Sequence, residues 1–576
     1  MKRLIFAIVA IITLGMASTA NAQIDPSQPI PADKEIRMGK LENGLTYYIR
    51  HNEKPKGMAN FYIVHDVGAI QEDDNQQGLA HFLEHMAFNG TKNYPGKSMI
   101  EYLEKIGVKF GANLNAFTSW DLTQYYMEDV PVARESVVDS TLMILHDWSH
   151  FISLEEKEID SERGVIKEEL RTRDGASWRS TIEMLKAVGK GTLYAERNLI
   201  GYLEGLEGFT YDDIRSFYDK WYRPDYQAVV VVGDIDVDKV EQKIKSMMAD
   251  IPAPAADAAQ KAVIVVPDND TPIVSVFTDP EMQQSSLQII YKGQALPKQY
   301  KSLVMAELVN IMQSYISVMI NERLSDISRK PNAPFIQAGF QPGGGFGICP
   351  TLDIVAGQVM TQDGKIMAGY KALLTEMERM RRYGFTEGEW ERAKNNLLSS
   401  IENQYNSRDD RKHAEFAEEC ISNFREGTPL YDAETEYNLD KQLIEMISCQ
   451  MINATVQKLY EPMKNVVIVV NSPKKDGVAV PTEAELVAAL KEAVAADIKP
   501  FEDNVKKEPL ISEDVVLKGS PVKKEKINEA MGTTEWTLKN GIQVVIKQTP
   551  YEADAINLEA TADGGAAIFS DEDYYS

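Results

Sequence analysis

His81, Glu84 and His85 are the residues whose types and spacing could do chemistry. They lie in the stretch Leu79-Ala-His-Phe-Leu-Glu-His-Met-Ala-Phe-Asn89. If this stretch is helical, His81 and His85 stand one turn apart on one face, because side chains at i and i+4 stack along a helix. Two imidazoles at that spacing can hold one zinc ion, and Glu84, next to His85, can reach a water there. Leu79, Phe82, Leu83 and Met86 are apolar and can bury the opposite side. The element therefore reads as a core helix whose polar edge faces a cleft. Zinc then lacks one protein ligand of a typical catalytic site, and a carboxylate is the natural third. Glu155, Glu156, Glu158, Glu162, Glu168 and Glu169 share one predicted helix, Leu154 to Thr172. Residue chemistry does not choose among them, and most must form a solvated face.

The elements that position these groups follow from periodicity and turn chemistry. Ile36 to His51 predicts two short strands around Leu41-Glu-Asn-Gly44, since Asn-Gly is a strong hairpin signal. Phe61 to Val64 predicts a central strand. Gly68 to Gln77 is a polar loop leading into the His-x-x-Glu-His helix. Ser98 to Ile106 has helical spacing, Gly111 to Trp120 predicts a strand, and Asp121 to Met127 its antiparallel partner. Val132 to His150, Tyr211 to Tyr218 and Val237 to Met248 predict helices, with a strand at Ala228 to Val232. The Pro/Ala-rich stretch Pro252 to Ala259 is a natural boundary.

A second module follows. Leu287 to Tyr291 and Asn465 to Val470 predict strands, Tyr300 to Leu324 a long helix, Pro334 to Cys349 strand and turn, and Ile366 to Arg382 and Glu387 to Tyr405 paired helices. Its element order repeats that of the first module. Gly343 to Gly345 has no following Lys-Ser/Thr, so a flexible turn is expected rather than a phosphate loop. After a Lys/Glu-rich stretch the chain repeats itself once more. Leu538-Lys-Asn-Gly541 echoes Leu41-Glu-Asn-Gly44, and Ala562-Asp-Gly-Gly-Ala566 echoes His65-Asp-Val-Gly-Ala69, both at an offset of 497 residues. That self-similarity marks the start of a third copy, in which the counterpart of His81 would fall beyond Ser576. The expected organisation is a signal peptide at 1–22, a catalytic module at 23–255, a second, non-catalytic module at 256–500, a charged linker at 501–530 and an incomplete third module at 531–576.

Bulk properties narrow the function classes. The 576 residues are 44% hydrophobic and 26% charged, ample for several packed cores. A net charge of −26 argues against nucleic acid or an anionic membrane surface as partner. Lys2 and Arg3, the apolar run Leu4 to Leu14 and the Ala20-Asn21-Ala22 site together read as a cleaved secretory signal, with Gln23 as the mature N-terminus. No Cys stands at the cleavage point, so no lipid anchor is expected there, and no later run predicts a membrane span. A bacterial periplasm is the simplest destination. Cys349, Cys420 and Cys449 are read as buried structural residues. Export permits a Cys420–Cys449 bridge, but nothing in their spacing supports it. His51, His65, His146, His150 and His413 lack ligand spacing.

The stretch Gly78 to Thr91 resembles the signature of the pitrilysin/insulinase family of zinc peptidases, the inverzincins. That family's third ligand is a Glu 77 positions after the second His, which is Glu162 here. A second acid seven residues earlier matches Glu155, which the resemblance makes a catalytic-site residue that orients the ligands. Gly111 to Tyr126 is similar to the family's Asn-Ala-x-Thr strand, whose edge pairs with the substrate backbone. Asn115 and Ala116 fall on the matching positions, and Phe117 follows, so all three are expected to bind substrate. Phe217 to Asp234 and Gly384 to Trp390 extend the resemblance across nearly all of 36–497.

The resemblance implies an α+β fold of two homologous modules, each a mostly antiparallel sheet with helices packed on it, plus a truncated third. It implies an exported, Zn2+-dependent endopeptidase acting on peptides or unfolded polypeptides, with Glu84 as general base. It implies as partner a second half or a homologous subunit. The competing expectation is an inactive or half-site peptide-binding subunit that needs such a partner.

Overall fold

In the computed structural model, residues 25–505, 511–512, 515–549, 556–565, 568 and 570 are described. The expected signal peptide and parts of the expected third module lie outside them. The chain divides into two units. One comprises the described residues up to Ile401 together with Asp410–Asp503; the other comprises Glu402–Asp409 and the described residues from Asn504 onward.

The first unit opens with the hairpin of β1 (Ile36–Lys40) and β2 (Thr46–His51), Lys40 opposite Thr46. Gly44 in its turn has φ +102°, and a Cβ there would crowd the Asp225 backbone at 3.2 Å, so the Asn-Gly pair answers a steric demand. Next come β3 (Met58–His65), α1 (Leu79–Met86), α2 (Ser98–Lys105), β4 (Leu114–Thr118), β5 (Thr123–Pro131), α3 (Glu135–His150), α4 (Glu156–Arg173), α5 (Ala176–Val188), α6 (Tyr211–Trp221), β6 (Gln227–Gly233) and α7 (Val237–Met247). The sheet order is β1-β2-β6-β3-β5-β4. Strand β6 enters between β2 and β3, parallel to the first and antiparallel to the second. Strand β4 is left at an edge.

The second sheet is built the same way. It contains β7 (Ile273–Asp279), β8 (Ser285–Gln294), β9 (Gln337–Gln341), β10 (Leu352–Thr361) and β11 (Val466–Pro473) in the order β7-β11-β8-β10-β9. Its last strand again enters between two earlier ones, parallel to β7 and antiparallel to β8, and β1 alone has no counterpart. Its helices are α8 (Val304–Ser328), α9 (Ile366–Tyr383), α10 (Glu387–Asn406, whose residues from Glu402 onward count with the second unit), α11 (His413–Glu426), α12 (Ala433–Met446), α13 (Cys449–Val456) and α14 (Glu483–Ala495). The fold is thus α+β, two sheets of one topology with helices packed on them.

Strand β6 explains a feature that periodicity did not single out. Val229 and Val231 point into the core shared with α1, α3 and α6. Ala228, Val230 and Val232 point the other way, against Phe416, Ala417, Cys420 and Ile421 of α11. A strand apolar on both faces needs cover on both, and a helix from the second half of the chain supplies the second layer. The modules also pack through Leu185 and Val188 of α5 and Trp120 against Ile290, Ile354 and Val469 of the second sheet. All three cysteines are buried and free, so no Cys420–Cys449 bridge exists: Cys420 lies in the layer behind the first sheet, whereas Cys449 opens α13.

Asp440 on α12 is buried, and its Oδ1 has no hydrogen-bond partner among the described residues. Burial, and then the charges of Glu307 and Glu436, push its pKa up to about 8. The unfolded chain releases this proton first, so the folded state loses stability as pH rises from the ordinary aspartate range to about 8. Asp440→Asn is therefore expected to stabilise the protein, by on the order of 1–3 kcal/mol at pH ~8 and by less at pH ~5. Urea midpoints at the two pH values measure the difference, and a gap independent of pH would contradict a protonated Asp440.

The second unit holds a three-stranded antiparallel sheet, β12 (Val522–Asn528), β13 (Thr533–Leu538) and β14 (Gln543–Ile546), in that order. Strand β12 falls inside the stretch expected to be linker. The turn Leu538 to Gly541, the echo of Leu41 to Gly44, again joins two antiparallel strands. No strand of this sheet contains a fully buried residue.

Candidate active site

Helix α1 carries the site, and its start is closely packed and capped. Gly78 at the N-cap has φ +92°, and a Cβ there would meet Gly201 Cα and Ile200 O at 2.8 Å. The buried Glu72 carboxylate accepts from Gly78 N at 3.0 Å and Ala80 N at 2.8 Å, satisfying amides that a helix start leaves open. Burial pushes Glu72 up to about 8 despite those amides and the nearby Arg197. Leu79, Phe82, Leu83 and Met86 sink into the first core. That leaves His81, Glu84 and His85 on the remaining edge, with His81 only 3% exposed.

The two imidazoles face each other with ring centroids 4.8 Å apart. Two carboxylates of α4 reach them. Glu162, the expected third donor, places Oε1 at 2.8 Å from His85 Nδ1, while its Oε2 accepts from Asn89 Nδ2 at 2.6 Å. Asn89 in turn accepts from Lys97 Nζ. Glu169 lies toward Nε2 of both rings, at 3.6 Å from His81 and 3.2 Å from His85. The donor atoms of His81, His85 and Glu169 all lie within 4.8 Å of one another, close enough to share an ion. Glu169 also pairs with Arg173 at 2.8 Å. The site therefore holds two candidate carboxylates where one was expected. Glu155 was expected beside the ligands but is the exposed N-cap of α4, two turns before Glu162.

Residues 155, 162 and 169 repeat every seven positions and share roughly one helix face. The family spacing selects the first two, whereas docking of α4 against α1 brings the last two to the histidines.

The electrostatics fit a cation. Imidazole and carboxylate donors converge, and His81 Nδ1 is buried without a partner among the described residues. Burial opposes charge on His85, but hydrogen bonds to Glu162 and Glu169 and the charge of Glu84 outweigh it and hold the imidazolium up to about 9. Hydrogen bonds from His81 and His85 draw Glu169 far below the usual carboxylate range, and Arg173 adds to the effect. Glu162 is also lowered: burial works against its charge, but the bonds from His85 and Asn89 prevail. Two histidines and a carboxylate are a zinc-type donor set with room for an open position.

Strand β4 brings Asn115, Ala116 and Phe117 beside this helix at the sheet edge, paired on one side only, with Tyr126, Tyr125 and Gln124 of β5. The Ala116 N–H is taken by Asn115 Oδ1 at 2.9 Å, and Phe117 is exposed. Thr118, the next residue, donates to Glu84 Oε2 at 2.5 Å. Asn89 and Glu72 were not singled out from sequence; Glu169 stood among the six acids of the predicted helix and Thr118 at the end of the Asn-Ala-x-Thr run, but neither was given a role.

Of the other histidines, His65 is fully buried between Tyr125 and Tyr222, where burial pushes it down to about 3. A second group of potential metal donors among the described residues is His51, Glu53 and Asp234. It is largely exposed, with Glu53 paired to Lys56.

Residues 47–200 match the family model described as Insulinase (Peptidase family M16), and residues 208–397 match the Peptidase M16 inactive domain. "Probable zinc protease PqqL" of Escherichia coli (strain K12) is 26% identical over 547 residues, covering 94% of this chain and 57% of that protein. "Zinc protease PQQL-like" of Arabidopsis thaliana is 28% identical over 568 residues, 95% of this chain and 53% of that one. The crystal structure of the first half of the periplasmic protease PqqL from Escherichia coli superposes with a TM-score of 0.75 at 26% identity, over 83% of this chain and all of that one. Pitrilysin shares the fold, with a TM-score of 0.58 at 18% identity over 86% of this chain and 53% of that one. The chain therefore spans a little over half the length of the curated relatives it matches.

Proposed function

The chain belongs to peptidase family M16, and from that premise we propose that it is an exported, periplasmic zinc endopeptidase acting on peptides or unfolded polypeptides. The observation that carries the reading is the convergence of His81 and His85 with two carboxylates of α4, with Glu84 on the same helix and an open strand edge beside it. Glu162 is the proposed third ligand. It stands at the family's spacing of 77 residues after His85, and it contacts that ring directly. Glu169 faces both Nε2 atoms but is already engaged by the Arg173 guanidinium, which makes it the poorer negative donor.

His81, His85 and Glu162 would hold zinc, which would supply Lewis-acid chemistry toward a water and a peptide carbonyl. Glu84 takes the water proton on its free oxygen as a C–O bond forms, then delivers it to the leaving nitrogen as the C–N bond breaks. Asn89, steadied by Lys97, holds Glu162 in place, and Glu169 orients the two rings. A peptide adds as a further strand along β4, displacing the Asn115 side chain from the Ala116 N–H, so affinity comes from backbone whatever the sequence.

The test is cleavage of a quenched peptide of about ten residues, long enough to lie along an edge strand, with and without a chelator. Expected is cleavage that the chelator abolishes and added zinc restores. Cleavage indifferent to the chelator would overturn the metal reading. The match of 208–397 to an inactive domain and the partial coverage of the relatives favour a second reading, a half-site that binds peptide but turns over only with a partner. Bound zinc without cleavage would select it.

A further inference from the structure

We propose that Thr118 is a positioning residue of the hydrolytic site. Its hydroxyl holds one oxygen of Glu84 so that only Oε1 is offered to water, and it ties that carboxylate to the strand along which the peptide lies. The proposal rests on the reading of Glu84 as the base.

A carboxylate at the end of a glutamate turns freely about its last torsion, which is broad and two-fold. A base that turns offers the wrong oxygen, or the wrong edge, for much of the time. Glu84 is held at one atom: Thr118 Oγ1 donates to Oε2 at 2.5 Å, the length of a charge-assisted bond. Both partners are buried, Thr118 at 8% and Glu84 at 9% exposure, so water competes weakly for the bond. With the hydroxyl proton on Oε2, the proton taken from water goes to Oε1 and leaves from there to the nitrogen.

The donor itself is fixed. Threonine is branched at Cβ and stiff at χ1. Thr118 stands opposite Thr123 on the last rung of the β4–β5 ladder, and the turn beyond is closed by Ser119 N to Leu122 O at 2.6 Å. That turn is pinned to the segment entering the site: Ala69 N bonds Ser119 O at 3.1 Å and Ile70 N bonds Trp120 O at 2.8 Å. Two residues on, Glu72 caps α1. Helix and strand are therefore braced on one frame, and the Thr118–Glu84 bond spans the gap between them. A peptide one strand spacing outside Asn115, Ala116 and Phe117 lies about 4.8 Å from β4, so the element that sets the position of the scissile bond also holds the base.

The experiment compares Thr118→Val, which keeps the shape and removes the hydroxyl, with Thr118→Ser, which keeps the hydroxyl. Expected for the valine variant is kcat lower by ~10–100-fold, with KM and zinc content near wild type, and recovery of most of the rate in the serine variant. In a Glu84→Gln background Thr118→Val should add no further loss, because it acts through the absent carboxylate. An unchanged kcat in Thr118→Val overturns the proposal, as does an equal loss in both backgrounds or a loss that serine does not rescue. A fully active Glu84→Gln overturns the base reading and this one together, whereas an inactive Glu84→Gln with an active Thr118→Val overturns only this one. Crystal structures of the zinc-loaded proteins give the answer without turnover. The Glu84 carboxylate should keep its orientation in the serine variant and lose it in the valine variant, and an unmoved carboxylate in the latter overturns the proposal.

Discussion

Glu84→Gln is expected to lower kcat by ~10²–10⁴-fold on a quenched peptide while zinc remains bound. Glutamine has the shape of glutamate and can still accept from Thr118, so the helix edge and the metal donors stay in place. What it loses is the capacity to take a proton. One Glu84 oxygen is taken by the Thr118 hydroxyl and the carboxylate is outside the proposed donor set, which is why its removal should separate catalysis from metal binding. Kinetics and metal content measured on one preparation decide the matter. A variant that loses zinc along with activity would make Glu84 a structural part of the metal site, and a variant of undiminished activity would remove it from the mechanism.

The second large effect separates the two glutamates of α4. Glu162→Gln is expected to bind zinc at least ~100-fold more weakly and to lose activity with it, since it removes the negative donor of the set. Glu169→Gln is expected to weaken zinc by ~10–100-fold and to keep measurable activity when zinc is in excess, because it only loosens the orientation of the rings. Competition against a chromogenic chelator yields both affinities. Arg173 is the physical reason for this order: its guanidinium pairs with Glu169, not Glu162, and offsets the charge that a metal would otherwise draw on. The reverse order would make Glu169 the ligand and Glu162 its support, an exchange that the approach of Glu169 to both Nε2 atoms would then explain.

Much of this was legible in the residues themselves. His81 and His85 four apart with Glu84 between them, on a helix whose other positions are apolar, carry their own geometry, because one helical turn is a local property of the backbone. The Asn43-Gly44 turn and the repeats at one offset are local in the same sense. The edge position of Asn115, Ala116 and Phe117 was anticipated from a motif, and sheet order places them there. Helix α11 was not anticipated as cover for the first sheet, although the five successive apolar residues Ala228 to Val232 already demanded a second layer. Asp440 gave no sign at all, since a single aspartate in a polar stretch carries no mark of burial.

Sequence by itself determined the donor types, the two histidines and the acid beside them, the repeat of one module, and the class of chemistry. Tertiary structure alone decided which acids of α4 reach the histidines. Residues 155, 162 and 169 are nearly equivalent on one helix face, with almost two turns between each and the next. Nothing local distinguishes them. The choice is made by where α4 meets α1, which leaves Glu155 outside and brings Glu162 and Glu169 in. That contact joins elements about seventy residues apart, and its position depends on the packing of the whole core. The same holds for Thr118 and Glu84: a bond across 34 residues exists only because a sheet edge and a helix are braced side by side.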